Sequence, residues 1–343
     1  MSEADNHRRW DGHSPGRYEV WYLTFNDPAT GDGFWIRYTL EAPVAGHGEP
    51  YAQLWFARFA SAPGADPART TFGINRRQPI ATMVAATDPF AVTIGASKLG
   101  HGHARGALSG AGHAAEWDLT WTPGDTMRWL PSVMYRRGGL GETTALSPSP
   151  DLALTGTITV DGRRYQLDGA PGGQTHLWGS KHALAWGWGH CNAFTGAPGA
   201  ALEMLTVRLE RRGLRLPWMT IATLRLPGGD EVAFNRFDQA LLAPRPERAT
   251  GRLRFTATGL TAKLEGVFSA PAERIVRTEY VDPDGAPAWC HNTCAADLML
   301  TLSRRVRGRW RVDRELFSPG RGHFELAGRE PDLAVSRVHT TIA

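Results

Sequence analysis

Residues His176 to Phe194 read His-Leu-Trp-Gly-Ser-Lys-His-Ala-Leu-Ala-Trp-Gly-Trp-Gly-His-Cys-Asn-Ala-Phe, the densest gathering of rings and polar tips in the chain. Trp178, Trp186 and Trp188 stand here with His176, His182, His190 and Asn192. As a strand, the second half alternates: Trp186, Trp188, His190, Asn192 and Phe194 point one way, and Gly187, Gly189, Cys191 and Ala193 the other. The first face offers ring area and hydrogen-bonding groups. The second is nearly bare, so a packed layer can approach it closely. This pattern suits the wall of an aromatic pocket, and it also suits a core strand whose Trp and His tips are satisfied locally. Ser180 to Ala185 reads as helical or irregular.

Outward from this stretch, period-two segments recur, punctuated by Gly, Pro, Asn and Asp. Glu19 to Phe25 and Phe34 to Leu40 form a hairpin across Asn26-Asp27-Pro28, and Tyr51 to Phe59 is apolar on both faces in its middle. Leu154 to Val160 and Arg164 to Leu167 are joined by Asp161-Gly162, a good hairpin signal. Beyond Phe194 the rhythm continues to Glu315, with turn chemistry at Pro227-Gly228-Gly229-Asp230 and Asp282-Pro283-Asp284-Gly285. So many strands at turn-sized spacing give an all-β chain of antiparallel sheets, in one large barrel or two smaller ones. The Pro- and Gly-rich run Gly138 to Pro150, with Gly169 to Gly173, reads as an inter-domain connection.

The bulk properties narrow the function. The 343 residues suffice for a large core and for two domains. The first seventeen residues are polar, and no run approaches the length of a membrane span, which predicts a cytoplasmic protein with no integral membrane association. Cys191, Cys290 and Cys294 make an odd count, which argues for a reducing compartment. On a strand, Cys290 and Cys294 stand about 13 Å apart, too far to chelate one metal, and read as buried thiols. The formal charge of +4 rests on Arg residues scattered beside turns and on only Lys98, Lys181 and Lys263. That distribution predicts no nucleic-acid partner. His101-Gly102-His103 could pair on a metal, but its flanking glycines read as a turn; no metal and no cofactor is expected. There is no P-loop, dinucleotide fingerprint or nucleophile elbow.

Val20-Trp21-Tyr22, followed by a hairpin into Gly33-Phe34-Trp35 and Tyr38, resembles the opening of tocopherol cyclases. The run Trp178-Gly179, then Trp186-Gly187-Trp188 ending in Cys191-Asn192-Ala193-Phe194, is similar to theirs as well. The wider superfamily, with carotenoid 1,2-hydratases (CrtC-like), AttH-like proteins, Svf1-like proteins and lipocalin-like Diels-Alderases, has a related signature, Asp-His-Asn-Trp-Gly. Here those positions read Thr175-His176-Leu177-Trp178-Gly179. The resemblance implies two lipocalin-like (calycin) antiparallel β-barrels packed together around a greasy pocket. The domains are then expected at residues 1–175 and 176–343.

An acid that launches hydration or cyclisation of an alkene must be held protonated in an apolar site. Thr175 and Leu177 replace the Asp and Asn of the hydratase-like signature, so the acid must come from elsewhere. Glu116, Asp118, Glu142, Glu203, Glu279 and Asp297 are the carboxyl candidates. If Phe194 pairs with Ala200, Glu203 points away from Trp188; a slip of one residue reverses this. His176, His190 and Glu203 are the candidate catalytic residues. Trp178, Trp186, Trp188, Asn192, Tyr280, His291 and Asn292 are the candidate substrate-binding residues. The expected function is a cyclase, isomerase or hydratase acting on a hydrophobic polyene, prenyl or polyketide-like substrate. The alternative is a non-catalytic protein that binds a hydrophobic ligand or lipid, since such a pocket is all that binding requires.

Overall fold

A computed structural model describes the chain except residues 1–2, 63, 65, 131–134, 136–141, 212, 331–335, 338 and 343. The first sheet is built from β1 (Arg17–Asn26), β2 (Gly33–Ala42), β3 (Tyr51–Phe59), β4 (Phe72–Pro79), β5 (Met83–Thr87), β6 (Phe90–Ile94), β7 (Ser97–Gly100), β8 (His103–Gly110), β9 (His113–Thr120), β10 (Met127–Arg128), β11 (Thr143–Val160) and β12 (Arg163–Gly179). The second comprises β13 (Ala185–Cys191), β14 (Ala201–Arg211), β15 (Leu214–Arg225), β16 (Glu231–Phe234), β17 (Glu247–Ala249), β18 (Arg252–Thr258), β19 (Ala262–Ser269), β20 (Val276–Val281), β21 (Pro287–Val306), β22 (Arg309–Gly328) and β23 (Ser336–Arg337). A last strand, β24 (His339–Ile342), returns to pair in parallel with β4. Apart from that pair and β20 with β23, every pairing is antiparallel, and the fold is two packed barrels.

Each barrel is filled by its own side chains. Trp21, Leu23 and Phe25 point into the first, where Phe34, Phe56 and Trp117 meet them; Leu253, Phe255, Phe268 and Phe324 fill the second. A third apolar cluster lies between the barrels and draws on both, with Tyr18, Tyr22, Trp35 and Trp55 from one side and Trp186, Trp188 and Tyr280 from the other. Strands β1 and β2 are therefore buried on both faces. A space of ligand size lies at the seam between the two interiors.

The two barrels share a construction. β11 and β12 form one long bulged hairpin, and β21 and β22 another. In each barrel the opening strand, β1 or β13, pairs with the second arm of that hairpin. The stretch expected as a linker, Gly138 to Pro150, lies partly outside the described residues; Glu142 is a bend, and Thr143 to Pro150 belong to β11. Gly169 to Gly173 lies within β12. There Gly172 and Gly173 serve close approach rather than flexibility: a Cβ on Gly172 would sit 2.4 Å from the Thr24 carbonyl oxygen, and one on Gly173 2.7 Å from His190 Nε2. The first sheet runs through Gly179, and the second starts at Ala185. The intervening segment is irregular, without a helix.

Candidate active site between the barrels

A cavity of about 510 Å³ opens at the seam, within the usual range for a small-molecule site. Its deep wall comes from β13, where Trp186 and Trp188 turn outward from the second barrel while Gly187 and Gly189 turn inward. Tyr22 meets Trp188 edge to face at 5.7 Å. The rim is formed by the short helix Phe237–Leu242, whose Phe237 and Leu241 are 56% and 39% exposed. A register shift in β21 between Thr293 and Ala296 brings Asn292, Thr293 and Cys294 into the wall.

His182 lines this cavity. Its Nδ1–H donates to Asp282 Oδ1 at 2.6 Å, its backbone N–H donates to the same oxygen at 2.8 Å, and Arg329 Nη2 donates to Asp282 Oδ2 at 2.9 Å. The ring is stacked on Tyr18 at 4.5 Å, Trp186 at 5.3 Å and Tyr280 at 5.4 Å. Burial works to raise the Asp282 carboxyl, but the hydrogen bonds and charge of His182 and the Arg329 bond outweigh it and hold the group below the usual carboxylate range. Asp282 thereby fixes the tautomer and plane of His182 and leaves Nε2 without a hydrogen bond among the described residues. Arg37 and Glu325 also line the cavity, and Glu325 Oε1 accepts the Trp186 indole N–H at 2.6 Å.

Behind the tryptophans lies a buried polar seam. Trp188 pairs with Leu205 and His190 with Glu203, one residue away from the Phe194–Ala200 register, so Glu203 shares the face of Trp188. Glu203 Oε2 accepts the Trp188 indole N–H at 3.0 Å, and Oε1 is 2.6 Å from Ser147 Oγ, which accepts the Trp129 indole N–H at 3.0 Å. Burial pushes the Glu203 carboxyl up to about 8, against the pull of those two hydrogen bonds. A carboxyl in that state is a neutral acid at physiological pH.

The other residues singled out in the sequence divide by place. Trp186, Trp188, Tyr280 and Asn292 line the cavity. His176 does not: it turns toward the first barrel, stacks on Trp21 at 4.9 Å, and is held by the Asp5 carbonyl and Glu19 at 2.7 and 2.8 Å. Trp178 lies beside it under the Arg9 guanidinium. His190 is sealed in the seam, donating Nε2–H to the Pro150 carbonyl at 2.7 Å and facing His323 Nδ1 with its own Nδ1 at 3.1 Å. Burial pushes its imidazole down to about 4, against the upward pull of Pro150 and Asp151. Asn192 clasps β11 by donating to Asp151 Oδ1 and the Leu152 carbonyl. His291 is half-buried on β21 outside the cavity wall. Of the other carboxyls, Glu142 reaches the rim, while Glu116, Asp118, Glu279 and Asp297 are exposed elsewhere. His101 sits in an exposed turn; among the described residues no group of three or more His, Cys, Asp or Glu is placed to hold a metal.

Two features of the family signature acquire a meaning. Leu177, standing where the signature has Asn, lines the cavity, whereas His176 faces the opposite way. The model of the tocopherol cyclase-like family matches residues 150–326, just over half of the chain. The chain belongs to the tocopherol cyclase-like family. Two uncharacterized Mycobacterium tuberculosis proteins, Rv0493c and MT0513, are each 31% identical to this family member over 326 residues, 94% of this chain and 89% of theirs. Among solved structures, a Nitrosomonas europaea protein described as an AttH has a TM-score of 0.55 at 18% identity, covering 92% of this chain and 93% of its own. Kievitone hydratase of Nectria haematococca gives 0.50 at 12%, covering 90% and 88%. CghA with Sch210972 gives 0.52 at 11%, covering 91% and 88%. At these identities the three structures support the shared fold of the tocopherol cyclase-like chain. No helix in the described residues is long and apolar enough to cross a membrane.

The sequence reading missed His182 as a site residue, although it stands inside the decisive stretch, and missed Asp282 and Arg37 altogether. His182 and Asp282 are one hundred residues apart, and only the packing of the Asp282-Pro283-Asp284-Gly285 turn against the link between the barrels joins them. Asp282 within a turn carries the same sequence signal as any turn-forming aspartate.

Proposed function

We propose that this chain is a cofactor-independent cyclase, isomerase or hydratase acting on a hydrophobic polyene, prenyl or polyketide-like substrate in the cavity between the barrels. The observation that carries the reading is an imidazole, His182, set by Asp282 into a wall of stacked aromatic rings with Nε2 unengaged. A positioned imidazole moves a proton to or from a reacting carbon or oxygen, which contributes about 10²- to 10⁴-fold. The ring faces of Trp186 and Trp188 favour cationic character developing on a bound polyene. Walls of this shape also fold a flexible substrate toward a reactive conformer. Membership of the tocopherol cyclase-like family and fold neighbours that include a named hydratase support a catalytic role. His182 takes the acid–base part expected of His176 or His190, because those two rings are spent on holding the fold. Glu203 supplies a second, neutral acid behind Trp188. The three buried free thiols support a reducing, cytoplasmic setting.

The test begins with protein purified from its own host. Bound compounds are extracted, identified by mass spectrometry and returned to the stripped protein. Conversion to an isomer, cyclised product or hydrate is the expected outcome, with His182→Ala lowering turnover about 10²- to 10⁴-fold. Recovery of every bound compound unchanged would instead establish a carrier, which the largely apolar lining also suits.

A further inference from the structure

Arg37 is an unusual cation to find in a greasy wall. It stands on β2, is only 6% exposed, and lines the cavity. Its guanidinium carbon lies over the rings of Tyr280 at 4.4 Å, Trp55 at 5.4 Å and Trp35 at 5.6 Å. Nε donates to Thr39 Oγ1 at 3.0 Å. The two terminal amino groups make no hydrogen bond to any described residue, and no described carboxylate lies within 4.0 Å of them. None of the acids around it, Asp282, Glu325 and Glu41, pairs with those amino groups, and Glu325 accepts from the Trp186 indole instead. Asp282 is taken by His182 and Arg329. Glu41 projects from the same face of β2, four residues on; burial first, and the charge of Asp282 second, push its carboxyl well above its ordinary value, against the pull of the Arg37 and Arg77 charges.

A buried charge without a paired counter-ion is costly, and attraction to ring faces offsets that cost only in part. A guanidinium with two free amino groups is the geometry that takes a carboxylate in a bidentate pair. We infer that Arg37 is the anchor for a carboxylate and that the cavity takes an amphipathic substrate, an apolar chain ending in a carboxylic acid. This rests on the cavity being the ligand site, as proposed above, and adds the head group and its orientation. Tyr280 touches both Arg37 and His182, so a carboxylate held at Arg37 sets the first carbons of the chain beside the His182 imidazole. The tail then runs toward Trp186 and Trp188. Proton transfer falls near the acid end of the substrate.

The experiment uses three probes of one shape, all-trans retinoic acid, its methyl ester and retinol, titrated into the full chain and followed by tryptophan quenching and calorimetry. The acid is expected to bind at least tenfold more tightly than the ester or the alcohol. Arg37→Gln brings the acid down to the affinity of the ester and leaves the ester unchanged, while Arg37→Lys keeps part of the preference. Equal binding of acid and ester by the unaltered protein overturns the anchor alone, as does a preference that survives in folded Arg37→Gln. Failure of all three probes to bind overturns the hydrophobic-cavity reading and the anchor with it. If Arg37→Gln does not fold, the unaltered protein and Arg37→Lys decide.

Discussion

The carboxyl of Glu203 couples the stability of the chain to pH in a direction that can be worked out. Burial raises it to about 8 in the folded protein, whereas an unfolded chain leaves it near 4.5. Between those values the folded state holds a proton that the unfolded state has lost. The stability it contributes is therefore complete below about pH 4.5 and is lost progressively as the pH rises to about 8. Glu203→Gln keeps a neutral group that accepts from Trp188 and donates to Ser147. The variant should match the parent near pH 4.5 and exceed it by a few kcal/mol near pH 8 in urea unfolding. Equal pH profiles for the two proteins would show that Glu203 is ionised in the folded state. This residue was visible as a candidate in the sequence, but its facing was not, because a one-residue slip between β13 and β14 reverses it.

At the scale of the strand, β13 shows why its alternation is built from the largest and the smallest side chains. Trp186 and Trp188 cover the cavity wall. Gly189, on the other face, receives the ring of Phe268 in the core of the second barrel; a Cβ there would lie 2.4 Å from Phe268 Cε2. Gly189→Ala should therefore force Phe268 aside and cost about 1–3 kcal/mol, read from the shift in the urea midpoint. A neutral result would mean that Phe268 has room to turn. The pairing of a ring-rich face with a bare one was legible directly from the order Trp-Gly-Trp-Gly, since period two sorts the residues before any fold is known. The linker reading of Gly169 to Gly173 failed for the converse reason. Glycine marks close approach as readily as flexibility, and only the partner, here Thr24 or His190, tells the two apart.

The whole molecule is joined across a seam of buried polar groups. His190 faces His323, the Pro150 carbonyl and Glu203's strand, and His323 is ringed by Thr24 and Asn26 of the first barrel. Burial lowers the His190 imidazole to about 4, and burial with the neighbouring His190 lowers that of His323 well below its ordinary value. For a histidine held neutral, stability is full above about pH 6.5 and is lost as the pH falls toward about 4, because the unfolded chain takes up the proton first. Glu203 works in the opposite sense between about pH 4.5 and 6.5, so the imidazole effect is best read in the Glu203→Gln protein. There, stability should fall steadily below pH 6.5, and His323→Gln should make that fall shallower. A flat acid limb in the Glu203→Gln protein would show that the imidazoles are already protonated in the seam.

Local pattern was enough for an all-β chain, for many of its strands and hairpin turns and for the aromatic wall at Trp186 and Trp188, while the pairing of two barrels came from the family resemblance. These follow from side-chain alternation and turn chemistry, which act over a few residues, and from the motif around Trp178 and Asn192. Which polar groups reach the cavity was decided by the tertiary structure alone. His176 and His190 look as suited to chemistry as His182 when read along the chain. The N-terminal segment and β1 close over His176, the packing of one barrel on the other seals His190, and His182 is left open beside Asp282. That outcome depends on strand register and on contacts between residues a hundred or more positions apart, and neither is a property of any local stretch of sequence.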